Sequence, residues 1–258
     1  EALKFLNNFL FEAITEEELQ KELLHSFQQR HVEKKRVRSP LKLPKTQLLE
    51  THPYLEKRGI TPAEIRQWFM AKITDKSKEF SGYNNWIYIP IYSSNKLKTY
   101  FLRSPFDNRK LYGPYPRRNI VFGLDSADDW DKPLFLVEGI FDMIFIRKTG
   151  EQSVAILSNH LLPEQLDLLK KYSKIIVVPD NDERGLFLVQ DALKLIYNSK
   201  IFVASLPSSK KDAGECSLEE LNYTINNIVP IQEYVTTPKY FVWYNKNVVR
   251  KTYGYAAS

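Results

Sequence analysis

The sequence predicts an α/β chain: a parallel sheet flanked by helices, preceded by a smaller α+β subdomain and an N-terminal helical segment. Three observations carry this. From Pro133 onward, apolar strand-like runs at 134–137, 154–157, 175–178 and 201–206 alternate with helix-like segments near 140–149, 163–172, 184–197 and 217–226, and each crossover is long enough for a right-handed β-α-β unit. Two of the runs, Leu134-Phe-Leu-Val-Glu138-Gly139 and Ile175-Ile-Val-Val-Pro-Asp180-Asn-Asp182-Glu-Arg-Gly185, end in acids followed by a glycine. Upstream, 86–92 and 97–102 flank Ser93-Ser-Asn95 as strand, turn and strand.

Taken in order, residues 1–28 read as two short helices. Leu3, Leu6, Leu10 and Ile14 have helical spacing, Thr15 and Glu18 make a capping box, and Leu19, Leu23 and Phe27 continue a new apolar face. Residues 29–50 read as a basic linker. From Arg30 to Lys45, the basic residues Arg30, Lys34, Lys35, Arg36, Arg38, Lys42 and Lys45 stand against Glu33 alone, a surplus equal to the +6 of the whole chain. Pro40 and Pro44 amid sparse apolar residues favour a linker over a packed element. It is either a solvated tether or a strap, through Lys34, Lys35, Arg36 and Arg38, on nucleic-acid phosphates.

Residues 51–132 form the expected α+β subdomain. The segment from Pro53 to Arg58 ends at Gly59, a good residue after a helix, and Thr61-Pro62-Ala-Glu64 supplies cap, first-turn proline and capping glutamate for the next. Pro90 puts its strand near an edge or a bulge. Arg103 follows the hairpin, and Arg109, Lys110, Arg117 and Arg118 lie in the loop before 120–123. Residues 133–228 form the parallel sheet. After its second strand, Asn159 tolerates a left-handed backbone, and His160 reads as a solvated loop residue. The extension 229–258 carries Lys239, Lys246, Arg250 and Lys251, no acid after Lys239, and interleaved Tyr240, Phe241, Trp243, Tyr244, Tyr253 and Tyr255. That mixture suits single-stranded nucleic acid, but Tyr-Phe-Val-Trp-Tyr also reads as a plain β-strand for packing or partner docking.

The acidic strand ends carry the chemistry. In an open parallel sheet the carboxyl ends of the strands share the edge where ligands bind. Glu138, Asp180 and Asp182 meet there on this reading. Asp142 lies one helical turn past Glu138 and faces the same cavity, and Asp212 is a candidate to join. Taken singly, an Asp-x-Asp after a strand is more often a helix N-cap plus a surface charge, and a Glu-Gly is an ordinary turn. Together they imply repelling carboxylates that need a hard cation, and oxygen-only donors favour Mg²⁺ or Mn²⁺. The expected chemistry is metal-dependent phosphoryl transfer. The single cysteine, Cys216, excludes an internal disulfide and a Cys-based zinc site within these residues. No apolar run approaches a membrane span and the first residues are not a signal peptide, so the expectation is a cytoplasmic protein without membrane partners. Glu1 in place of Met suggests a fragment or processed product.

The two acidic motifs resemble the TOPRIM domain shared by bacterial-type primases, type IA and type II topoisomerases and some nucleases. The stretch Lys211-Asp212-Ala-Gly-Glu215-Cys resembles the primase half of phage primase-helicases, and Tyr54-Leu-x-x-Arg58-Gly-Ile-Thr61 is similar to the opening of a primase catalytic core. The resemblance runs from about His52 to Asn227. It implies a TOPRIM-type sheet and the RNA polymerase domain of a primase, joining ribonucleotides into short RNA primers on a single-stranded DNA template. Further implications are Glu138, Asp180, Asp182 and Asp212 as Mg²⁺ or Mn²⁺ ligands, Asp142 as a further ligand or an anchor behind them, and Arg103, Lys110 and Lys211 on nucleoside triphosphates. Arg117 and Arg118 would touch nucleic acid or remain a wet basic loop. A replicative helicase and a zinc-binding module absent from these residues are the implied partners, and a bacteriophage the implied source. The family's Lys-Tyr pair is here Lys110-Leu111-Tyr112, so the tyrosine's role does not carry over. The rival readings are a TOPRIM nuclease and a non-catalytic nucleic-acid-binding module of the replisome.

Overall fold

The computed structural model describes residues 41–114, 119–195, 199–244 and 246–247. The helical segment 1–28, most of the linker with Lys34, Lys35, Arg36 and Arg38, and the pair Arg117 and Arg118 lie outside the described residues. Within Leu41–Ser258 the described residues form one compact unit.

The first layer is an antiparallel sheet. Strands β1 (Thr46–Leu48), β2 (Ala71–Ile73), β3 (Ile87–Ser93), β4 (Lys96–Arg103) and β5 (Lys110–Tyr112) lie in sequence order. Helices α1 (Pro53–Lys57) and α2 (Pro62–Gln67) sit between β1 and β2, and the expected Thr61–Glu64 capping box is present. The β3–β4 hairpin turns on Ser94 and Asn95, with φ of 53° and 57°. Two consecutive left-handed residues are what a tight hairpin needs to match the twist of its strands. Asp125 accepts the backbone N–H groups of both. Pro90 lies past the end of β2's pairing, beside a register shift at Ile91/Tyr92, so its missing N–H leaves no ladder bond unmade. Thr46–Leu48 corrects the linker reading: these residues pair with β2, so the sheet starts before residue 50.

The second layer is mostly parallel. Strands β6 (Leu134–Val137), β7 (Ser153–Ala155), β8 (Lys174–Val177), β9 (Lys200–Ala204) and β10 (Ile228–Pro230) take the order β10-β9-β8-β6-β7, with β10 alone antiparallel to its neighbour. The crossovers carry α3 (Ile140–Arg147), α4 (Pro163–Leu169) and α5 (Gly185–Ala192), and α6 (Leu218–Asn226) leads into β10. Two further helices, α7 (Ile231–Tyr234) and α8 (Pro238–Tyr244), complete the fold. The helix at α8 corrects the strand reading of Tyr-Phe-Val-Trp-Tyr. Pro238 opens it, Thr237 Oγ1 accepts the Tyr240 N–H, and buried Tyr240 and Trp243 face the core at helical spacing. Residues 228–244 thus belong to the sheet domain.

Alternation along the strands sorts the core. Phe135, Val137, Ile176 and Val178 face one side with α3, while Leu134, Leu136, Ile175 and Val177 face the other with α4, α5, α7 and α8. The first cluster also contains Ile87, Ile89, Ile91 and Phe101 of the antiparallel sheet, plus Leu55 and Ile65 of α1 and α2. One apolar core therefore joins the two sheets, and every residue of 140–146 in α3 is buried. Six of those seven side chains are apolar, and a helix apolar on nearly every face belongs in such an interior.

Both acid-then-glycine motifs have a steric reason. A Cβ at Gly139 would collide with Asp142 Oδ2, which folds back over it. One at Gly185 would collide with the Asp180 carbonyl oxygen and lie 2.8 Å from its nitrogen, because α5 begins directly against that backbone. Gly185→Ala is expected to destabilise the chain by about 1–3 kcal/mol through this overpacking, read as a lower midpoint in urea at unchanged slope.

Candidate functional site

The carboxyl ends of β6, β8 and β9 lead to the acids. Glu138 follows β6 directly, Asp180 and Asp182 follow β8, and Asp212 ends the loop after β9. Glu138 Oε1 is buried with no hydrogen-bond partner, a costly condition for a carboxylate in a protein interior. Burial first, then the charges of Asp182 and Asp142, push its pKa up to about 7, against the opposing pull of Lys110 and Arg184. Asp180 is raised by burial and then by Asp142, Glu138, Asp212 and Asp182. Burial also raises Asp142, with Asp212 adding to it, while the Gly214 N–H and Arg58 oppose the rise. Asp212 rises through burial and Glu215, opposed by Arg58 and Lys211. These mutual effects bring all five predicted acids into one electrostatic group.

Their local bonds differ. Asp182 Oδ1 accepts the N–H groups of Arg184 and Gly185 at 2.8 and 3.1 Å, so it also caps the start of α5. Asp142 Oδ1 accepts the Gly214 N–H at 3.1 Å, tying α3 to the Asp212 loop. Between the two aspartates, Asn181 is a clasp. Its side-chain amide donates to the carbonyls of Leu206, Pro207 and Lys210, and its backbone N–H to that of Lys211. The middle residue of the Asp-x-Asp motif thus holds the loop that delivers Asp212.

The antiparallel sheet supplies cations. Lys110 is near enough to Glu138 to lower its pKa, and it pairs in register with Arg103 across β4 and β5. Arg103 is more engaged than a free phosphate donor would be: it bonds the Tyr54 hydroxyl at 2.7 Å and both oxygens of Asn108. Lys211 keeps its ammonium beside Asp212. Sequence reasoning missed Arg58. Its guanidinium lies over the Tyr54 and Phe141 rings, 5.2 and 5.0 Å from their centroids, and offsets the charges of Asp142 and Asp212. The available signal was its place one helical turn after Tyr54. Arg184 was missed likewise. His160 is exposed, as a solvated loop residue is, with its Nδ1 3.0 Å from Asp191 and its ring against Phe187. The left-handed residue at that strand end is Leu157, with φ 62°, and not Asn159. A hollow of about 490 Å³ lined by Asp128, Asp129, Trp130 and Asp131 precedes β6, at the amino end of its strand and away from these acids.

The donor set is all oxygen, which suits Mg²⁺ or Mn²⁺ better than softer metals, and the orphaned Glu138 Oε1 gives one lone pair a reason to seek a cation. Among the described residues no three or more potential ligands stand close enough to hold an ion as they are. The chemistry of the donors fits; a closed cage is not preformed.

Sequence comparison matches residues 135–217 to the Toprim-like family. Residues 135–217 form a Toprim domain. Around it the chain has the fold of a primase catalytic domain. It superposes on the DnaG primase catalytic domain bound to ssDNA with a TM-score of 0.58 at 16% identity, covering 76% of this chain and 83% of that one. Against the RNA polymerase domain of Mycobacterium tuberculosis primase DnaG the values are 0.57, 18%, 78% and 88%. For the zinc-binding and RNA polymerase domains of the Aquifex aeolicus primase they are 0.58, 20%, 77% and 59%. No curated protein sequence matches the chain. Among the described residues no helix is long and apolar enough to cross a membrane.

The Toprim acids make a pH prediction. A carboxyl whose folded pKa of about 7 exceeds its ordinary 4.5 contributes stability below pH 4.5 that is lost as pH rises through 7. Without metal, Glu138→Gln should melt like the parent at pH 4 and above it at pH 8, by about 2–4 °C per kcal/mol relieved. Added Mg²⁺ should raise the parent's melting temperature and leave the variant's nearly unchanged. Equal melting curves at both pH values would remove the penalty assigned to Glu138.

Proposed function

We propose that the chain is the RNA polymerase domain of a primase, joining ribonucleoside triphosphates into short RNA primers on single-stranded DNA. One observation carries the reading: the Toprim carboxylate edge is faced by cations of a second, antiparallel sheet, with Lys110 beside Glu138. A Toprim nuclease needs the acids but has no evident use for that sheet.

In this reading Glu138, Asp180 and Asp182, with Asp212, hold one or two Mg²⁺ or Mn²⁺ ions. When bound, these would supply charge neutralisation at the triphosphate and at the attacking and leaving oxygens. The 3′-hydroxyl oxygen of the growing primer bonds to the α-phosphorus, the bond to the β-phosphate oxygen breaks, and pyrophosphate and the hydroxyl proton leave. Lys110 and Lys211 hold phosphates through charge-assisted hydrogen bonds, and Arg103 would join them by exchanging its bonds to Asn108. Asp142 positions the Asp212 loop through Gly214, and Arg58 limits repulsion between the two aspartates. Lys34, Lys35, Arg36, Arg38, Arg117 and Arg118 would neutralise template phosphates. A replicative helicase and a separate zinc-binding module are the proposed partners.

The test incubates the chain with labelled ribonucleotides, single-stranded DNA and Mg²⁺ or Mn²⁺, beside Asp180→Ala. Short RNA products that fall by at least about a hundredfold in the variant are expected, the scale on which one electrostatic group in an active site contributes. Degraded DNA without RNA would replace this reading with the nuclease. No turnover in either protein, with equal DNA binding, would leave a binding module.

A further inference from the structure

The loop joining β4 to β5, residues 104–109, carries an aromatic ring that stands largely in solvent. Phe106 is 73% exposed, the most exposed large apolar side chain among the described residues. The loop around it is tied at several points. Ser104, itself 0% exposed, donates its N–H to the Arg109 carbonyl, and its Oγ accepts the N–H groups of Phe106 and Asp107. Asp107 accepts both the backbone N–H and the Nε of Arg109, whose guanidinium lies over the Trp86 ring at 5.3 Å. Arg103 grips both oxygens of Asn108. A loop this well bonded does not expose a phenyl ring for want of order. It holds the ring out.

The surroundings specify what the ring meets. Arg103 and Lys110 close the base of the loop as register partners, and Lys110 stands at the Toprim acids. Phe106 is only three residues from Arg103, at most about 10 Å of extended chain. A cation at Lys110, available to a phosphate, and an exposed aromatic face within one or two nucleotide lengths match a strand that carries both phosphates and unpaired bases. A helical or strand-like peptide would need a row of apolar contacts, and the loop offers a single ring. We infer that Phe106 is a stacking platform for an unpaired base of single-stranded DNA entering the carboxylate site. This rests on the primase reading for the identity of the strand, but its test is made without turnover.

Binding of a fluorescent oligo-dT to the full chain would be measured by anisotropy at several salt concentrations. Phe106→Ala should weaken it about tenfold, within the range for one stacked base, and leave the salt slope unchanged because no phosphate contact is lost. Phe106→Trp should restore the affinity. With an oligonucleotide abasic throughout, parent and Phe106→Ala should bind alike. An unchanged melting temperature is expected for Phe106→Ala, since the ring is exposed. Equal oligo-dT affinity in parent and variant overturns the inference. So does a loss that persists on the abasic strand, or a raised KM for nucleotides at unaltered DNA affinity, which would assign the ring to the incoming nucleotide. Failure to make RNA with the stacking effect intact would refute the primase reading and leave the platform standing.

Discussion

Mutual repulsion among partly buried carboxylates is the constraint on which the rest of this structure depends. Glu138, Asp142, Asp180 and Asp212 each have their charged form disfavoured first by burial and then by neighbouring acids. Left alone, such a group would rotate apart or draw in water. Instead each acid is held from the backbone side: Gly139 admits Asp142, Gly185 admits the chain at Asp180, and Asn181 fastens the loop that ends at Asp212. Arg58, Lys110, Arg184 and Lys211 supply partial compensation without bonding the acids into neutral pairs. Residual destabilisation of this kind concentrates where a protein binds something that relieves it.

That compensation explains why the two sheets form one unit. Lys110 comes from the antiparallel sheet and Arg58 from the end of α1, so neither cation exists in the Toprim domain alone. The apolar core makes the same connection. Phe141 of α3 meets Tyr54 of α1 and Phe101 of β4, with ring centroids 6.5 and 6.4 Å apart. Cutting the sheets apart would expose the α3 side chains that face α1 and β4, each worth about 1.5–3 kcal/mol when buried. The residues that pack the sheets together thus also aim the cations.

Much of this was legible because it follows from local rules. Runs of apolar strand residues, the Thr61–Glu64 capping box and the Ser94–Asn95 turn each specify their own conformation and all appear. The acidic strand ends were legible because topology brings parallel strands to one edge whatever their side chains do. What was not legible depended on partners distant in sequence. Thr46–Leu48 is an edge strand whose three residues are all exposed, so it shows no burial period. The segment Tyr-Phe-Val-Trp-Tyr has strand propensity, but packing Tyr240 and Trp243 against Phe187 and Tyr234 requires helical spacing, and the tertiary contacts win. Thr237-Pro238 ahead of it was a helix start that propensity concealed. Arg58 looked like a charge at a helix end, and only the fold shows it over two rings and beside two aspartates.

Leu157 shows how the edge tolerates strain. Its left-handed backbone costs a non-glycine residue about 1–2 kcal/mol, and glycine at that position would remove the cost. The leucine side chain, however, is 2% exposed and packed in the core that joins the sheets, a gain of about 1.5–3 kcal/mol that glycine would forfeit. Burial therefore matches or exceeds the strain. The strained backbone also donates its N–H to the Glu138 carbonyl at 2.9 Å, fixing the residue that carries the orphaned carboxylate oxygen. A glycine would fit the angle, but its unfolded chain has more freedom to lose. At this strand end the side chain holds the backbone in place, and the backbone holds the site.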